Sequence, residues 1–144
     1  MSVELKIDGL SKVTKELNSR LSRVKNMTAS GMNDVVLDCL GKSVNRAPVD
    51  LGDLRGSGYA SINNVTVAKG SSDGSVSSSP GGAVSGNKIE GIVGFNEPYA
   101  LVQHERLDYD HPKGGEAKYL EKTLSENTEK YINHLSEGVK KAIT

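Results

Sequence analysis

Five side chains able to bind a metal ion or move a proton, His104, Glu105, Asp108, Asp110 and His111, fall within eight positions of one another. On a helix His104 and Asp108 share a face, as the two histidines of a zinc-binding H-E-x-x-H motif do. The second histidine of that motif is replaced here by Asp108. His111 precedes Pro112, which biases it toward extended backbone, so one shared coordination shell requires the chain to fold back. The chemistry this set would carry is metal-dependent hydrolysis through His104, Glu105, Asp108 and His111. The preferred assignment of the same segment is an acidic subunit-contact loop, because Glu97, Glu105, Asp108 and Asp110 oppose only Arg106 between residues 97 and 110.

Other chemistries find less support. There is no G-x-S-x-G elbow, the serines concentrate in one Gly/Ser-rich stretch, and Cys39 falls on the apolar side of an expected helix, where a small buried residue is the ordinary role. Neither Gly56-Ser57-Gly58 nor Gly81-Gly82 belongs to a G-x-x-x-x-G-K-[ST] phosphate cradle. His134 lies on the expected carboxy-terminal helix and needs no special account. Arg55 ends a compact acidic turn and is expected to pair with Asp50, Asp53 or a carboxylate of the Glu105 segment in bidentate geometry.

These residues must be held by a chain of 144 residues with 18 Lys+Arg against 18 Asp+Glu and one Cys. That length implies a single domain, residues 1–144. Zero net charge argues against a protein held on nucleic acid by phosphate contacts, a lone cysteine rules out an internal disulfide, and no apolar run reaches the ~20 residues needed to span a bilayer. Met1 to Asp8 lacks the charged-then-apolar pattern of a signal peptide, so a soluble, cytoplasmic product is expected. Five Tyr, one Phe and no Trp leave little aromatic area for a core, which points to stability shared with neighbouring subunits.

The periodicities imply an α+β fold, with a small antiparallel β-sheet and a long flexible hairpin loop packed against amino-terminal helices and a long carboxy-terminal helix. Val3, Leu5 and Ile7 alternate with Glu4 and Lys6 as a short strand or extended arm able to pair at a sheet edge. Leu10, Val13, Leu17, Leu21 and Val24 predict a helix from Ser11 to about Lys25, with a basic face that includes Lys12, Lys15, Arg20 and Arg23. A second helix is expected from about Thr28 or Ser30 to Asn45, stopped by Pro48. Asp50 is expected to cap one helical turn that contains Leu51 and Leu54.

Ser57 to Ala68 reads as one strand, bent or bulged at Asn63 and Asn64, and Lys88 to Phe95 as a second. Between them, 12 of the 18 residues from 70 to 87 are Gly or Ser, too few apolar side chains to build a core, so a mobile loop is expected. A short helix follows Pro98. Leu120, Leu124, Tyr131, Leu135, Val139 and Ile143 then mark a long amphipathic helix from about Gly115 to the end.

Taken in order, Ala47-Pro48-Val49-Asp50 with Gly52, Leu54-Arg55 and Ser57, then Val93-Gly94, Tyr99-Ala100 and His104-Glu105, resemble the tail-component family of tailed bacteriophages and prophages, the head–tail connector or neck proteins. The segment His111-Pro112-Lys113-Gly114-Gly115-Glu116-Ala117-Lys118-Tyr119-Leu120 resembles the H-P-x-G-x-x-K-[FY]-L lead-in to the last helix of some members, often labelled minor capsid proteins. The likeness covers nearly the whole chain. Leu51 stands where many members have Thr, and Arg106 where a small residue is frequent.

The resemblance implies a non-catalytic virion protein, without cofactors, assembled in the bacterial host's cytoplasm. It would form a ring, six-fold by expectation, that acts as tail terminator, tail-completion or neck subunit between connector or stopper proteins and the tail tube or sheath. No membrane and no sequence-specific nucleic acid is implied as a partner. The uneven charge distribution suits a head-to-tail ring. Arg55, Asp50, Glu105, Asp108 and Asp110 on one side, and Lys12, Arg20 and Arg23 on the other, are the expected subunit contacts. Two other classes remain open: the small metal-dependent hydrolase, and an adaptor that binds one protein partner through its terminal helix.

Overall fold

The computed structural model describes residues 1–49, 52–79 and 86–144. Its longest element is a helix, α1, from Leu10 to Arg46, 37 residues and about 55 Å long. The two helices expected from the sequence are therefore one. Between Lys25 and Gly31 the apolar pattern is interrupted by Asn26, Thr28 and Ser30, but no proline or other stop signal accompanies the interruption. Thr28 turns its hydroxyl back onto the Val24 carbonyl at 2.7 Å and stays on the half-buried face, so the helix runs through. It ends where expected: Ala47, the residue before Pro48, is extended at φ −60°, ψ 142°.

Next comes a single helical turn, α2 (Asp53–Gly56), and then a four-stranded antiparallel sheet of order β3-β2-β1-β4. The stretch expected as one bent strand is a tight hairpin, β1 (Gly58–Ile62) and β2 (Val65–Gly70). Asn63 and Asn64 form its turn with φ of 48° and 67°, the left-handed pair that a two-residue hairpin needs and that asparagine tolerates. The bulge falls instead at Ala60/Ser61. Part of the Gly/Ser-rich stretch is also ordered, since β3 (Val76–Ser78) pairs with β2 after a turn in which the Asp73 carboxylate accepts from the Ser75 amide at 2.9 Å. β4 (Gly91–Phe95) then crosses back to pair with β1, so the two ends of the 70–87 segment do not close a simple hairpin. The expected loop keeps its middle, 80–85, outside the described residues. The amino-terminal arm, Val3 to Ile7, belongs to no strand and is exposed.

A short helix, α3 (Ala100–Glu105), precedes α4 (Tyr119–Ile143). The start of α4 lies four residues beyond the expected Gly115, because Gly114, Gly115 and Lys118 all have positive φ and keep the lead-in out of helical geometry. The layers are sheet, α1, α4. On one side of α1, Val36, Leu40 and Val44 pack against Ala60, Ile62, Val67 and Ala68 of the sheet. On the other, α4 runs antiparallel to it, as the pairs Asp38–Tyr131 and Asp34–His134 show. The helices come close where Gly31 faces Leu135, since a Cβ there would lie 3.1 Å from Leu135 Cδ2. Leu40 has no exposed surface and bears on the sheet. Leu40→Ala is expected to cost about 2–5 kcal/mol in urea unfolding, the range for a large-to-small change in a packed core.

Candidate functional site

The residues singled out by chemistry gather at the carboxy-terminal end of α1, where the 47–49 turn, α3 and the lead-in to α4 meet. Tyr119 is the centre of this joint. Its side chain is buried with Ala47, Leu54 and Ala100, and its ring makes edge contacts at 5.0 Å with both Phe95 and His104. Its hydroxyl donates to the Ala100 carbonyl at 2.8 Å, and burial pushes it up to about 12. Around it the backbone is cross-tied: the Val49 amide donates to Gly114 at 3.0 Å, Glu116 to Arg46 at 2.8 Å and Lys118 to His104 at 2.7 Å. Gly115, at φ 98°, passes so close to the turn that a Cβ would lie 2.3 Å from Pro48 Cα. Any side chain there would collide with backbone.

Among the described residues, Arg55 is not paired with Asp53 or with a carboxylate of the Glu105 segment. Its Nε donates to the Ala47 carbonyl and its Nη2 to the Asn45 carbonyl, each at 3.0 Å. A cation at the last carbonyls of α1 satisfies groups that a helix end leaves without partners and meets the negative end of its dipole. Desolvation pulls the guanidinium below its usual range. Asp50, a second expected contact residue and the expected cap of α2, lies outside the described residues; the α2 cap position is Gly52, without a side-chain hydrogen bond.

The four candidate metal ligands are not brought together. Among the described residues, the group with ligand atoms within 4.8 Å of one another is His104, Glu105 and Glu121, without Asp108 or His111. His104 Nε2 accepts the first-turn amide of Glu121 at 3.2 Å, so Nδ1 carries the proton toward Glu105 Oε1, 2.8 Å away. One ring nitrogen thus caps α4 and the other is held by Glu105. The Lys118 ammonium sits between the carboxylates, 2.5 Å from Glu105 Oε2 and 3.0 Å from Glu121 Oε2, where a metal would need to be. That lysine, with His104, holds Glu105 below the usual carboxylate range.

Asp108 is taken by Arg106 through Nε at 2.8 Å and Nη2 at 2.7 Å, which draws the acid down to about 2, and Arg106 stacks over Tyr109. Asp110 is exposed. His111 lines a 160 Å³ pocket with Pro48, Val49 and Gln103, and its buried Nε2 has no hydrogen-bond partner among the described residues.

Lys12, Arg20 and Arg23 are exposed near the far end of α1, with Arg20 paired to Glu16 at 2.9 Å. The acidic 97–110 segment adjoins the other end of that helix. The basic and acidic surfaces therefore cannot meet within one chain. The sequence-based selection missed Tyr119, Lys118 and Glu121. Tyr119 and Lys118 were visible only as letters of the lead-in motif, since neither belongs to a charge cluster or a catalytic pattern.

No protein-family model, curated protein or solved structure matches the chain.

Two outcomes follow from the joint. Arg55→Ala leaves two carbonyls at the end of α1 without their donor and is expected to lower stability by about 1–2 kcal/mol, read by denaturant unfolding. Because Glu105 is held below its unfolded value, its contribution is present above about pH 4.3 and is lost as the pH falls through its folded value. Glu105→Gln should therefore melt below the parent at neutral pH, and the gap in Tm should close on acidification. A constant gap at every pH would contradict the assigned ion pair.

Proposed function

We propose that this chain is a structural subunit of the head–tail junction of a tailed bacteriophage or prophage. It would form a ring, six-fold by our reading, that serves as tail terminator, tail-completion or neck protein and joins the tail to the filled head. The observation that carries this reading is the joint around Tyr119. Three of the separated stretches that carry the family resemblance meet there and bond to one another: the described residues of the turn after α1, among them Ala47 and Arg55, then Tyr99 to Glu105 and His111 to Leu120. Their polar groups are engaged in holding the two long helices and the sheet in register, which suits a framework role better than turnover.

The other end of α1 supports assembly. Gly138 of α4 lies against Met27, and α4 ends five residues later at Ile143, so about the first twelve residues of α1 extend past it. Leu10, Val13, Leu17 and Leu21 on that extension are 50 to 62 % exposed. A helix of twelve residues without a packed face is marginal in water, so this segment needs a neighbour. Among the described residues, no helix is long and apolar enough to cross a membrane.

The test is electron microscopy of particles made without this protein. Full heads separated from tails, or tails of uncontrolled length, are expected. Intact, infectious virions in its absence would overturn the proposal.

A further inference from the structure

We propose that residues Val3 to Ile7 of one copy add as a fifth strand to the open edge of β4 in a second copy. β4 is an outer strand of the sheet, and among the described residues nothing pairs with its far side. The Asn63 amide donates to Glu90 and the Asn96 amide to Ser57, which fixes the hydrogen-bonding phase of β4 against β1. Bonded residues alternate along an antiparallel strand, so Ile92 and Gly94 face β1. The N–H and C=O groups of Gly91, Val93 and Phe95 then point outward, an unpaired row that invites another strand.

The arm has the matching features. It offers five residues to the five of β4, and its Val3, Leu5 and Ile7 are 82, 90 and 78 % exposed. Strand addition with the apolar side inward would continue the face formed by Val93 and Phe95. There the arm meets an apolar groove of 440 Å³ beside the start of β4, lined by Leu21, Val24, Thr28 and Ile89. Lys6 and Glu4 would stay on the outer, solvated face with Ile92.

The donor must come from another chain. Gly91 packs on Met32 and Val36 of α1, which begins at Leu10. From Gly9 to the level of Met32 is about 35 Å along the helix, whereas the chain from Gly9 back to Leu5 reaches about 14 Å. The arm cannot reach its own β4 without unwinding α1. Donor and acceptor are different surfaces of one subunit, so the contact is heterologous and propagates around a ring. This inference rests on the self-assembly reading above and gives it a specific joint.

Disulfide trapping in the full chain tests it. Glu4→Cys and Lys6→Cys variants, one for each strand direction, are each mixed with an Ile92→Cys variant and oxidised, with Cys39 buried out of reach. A mixed disulfide between copies is expected for one of the two pairings. Leu5→Pro, placed in the exposed arm where it cannot disturb the fold, should weaken self-association about tenfold, by removing a ladder donor in the antiparallel pairing and by fixing φ away from the strand value in either. Oligomers of the parent by light scattering, with no mixed disulfide and an unaffected Leu5→Pro variant, would overturn strand addition and leave the ring reading standing. A parent chain that stays monomeric and gives no mixed disulfide overturns both.

Discussion

One helix has to satisfy two partners at once, and the rest of the molecule is arranged around that demand. α1 presents Val36, Leu40 and Val44 to the sheet while Gly31, Asp38 and Cys39 lie on or beside the side that meets α4. With so few aromatic rings the core consists of aliphatic side chains of modest size, and close approach takes the place of bulk. Gly58 illustrates this: a Cβ on it would sit 3.0 Å from Val44 and 3.1 Å from Leu40. The side of α1 that faces α4 is partly polar. Asp38 there takes hydrogen bonds from Lys42 and Tyr131, which outweigh the upward push of desolvation and hold it below the usual carboxylate range. Arg46–Glu126 and the His134–Asp34 contact extend the same seam toward its exposed edges, adding polar pairing to the axial register that the close approach of Gly31 to Leu135 already sets.

The joint at the end of α1 is organised differently. Here a buried tyrosine hydroxyl, an arginine on helix carbonyls and a histidine on a helix amide each supply what a backbone end leaves unsatisfied. Residues that resemble a catalytic set by type, His104 and Glu105, are drawn into that accounting of backbone groups. Chemistry-bearing residues close in sequence are brought into one site only if the backbone between them is shaped to do so. Between His104 and His111 the chain leaves α3 at Arg106, and Arg106 itself takes up Asp108.

Much of the fold was legible in the sequence. The i, i+3, i+4 spacing of α4, the stop at Pro48 and the alternation of β4 each express a local rule that tertiary structure did not override. Continuity across residues 25–31 was not legible, because a polar residue on a helix face looks the same as a break until the neighbours are known. The Asn63-Asn64 turn carried its own signal, two residues that tolerate left-handed backbone, but strand-forming side chains on both sides hid it. The pairing of β4 with β1 depends on contacts between distant segments that no local pattern contains. At the site the residue types singled out the segment 97–110 and the cluster His104 to His111, while the partner of each side chain depended on backbone groups that sequence does not display. Arg55 illustrates this: among the described residues its acceptors are the carbonyls of Asn45, in the last turn of α1, and Ala47, just beyond it.

The length of α1 beyond its last support has a mechanical consequence. The twelve residues that project past α4, about 18 Å of helix, behave as a short lever, and each degree of tilt where α4 ends moves the tip by about 0.3 Å. The packing of Met27 and Gly31 on α4 therefore sets where Leu10 and the arm arrive. A projection this short stays well aimed, and a close helix seam is what lets a slender subunit meet its neighbour in a defined place.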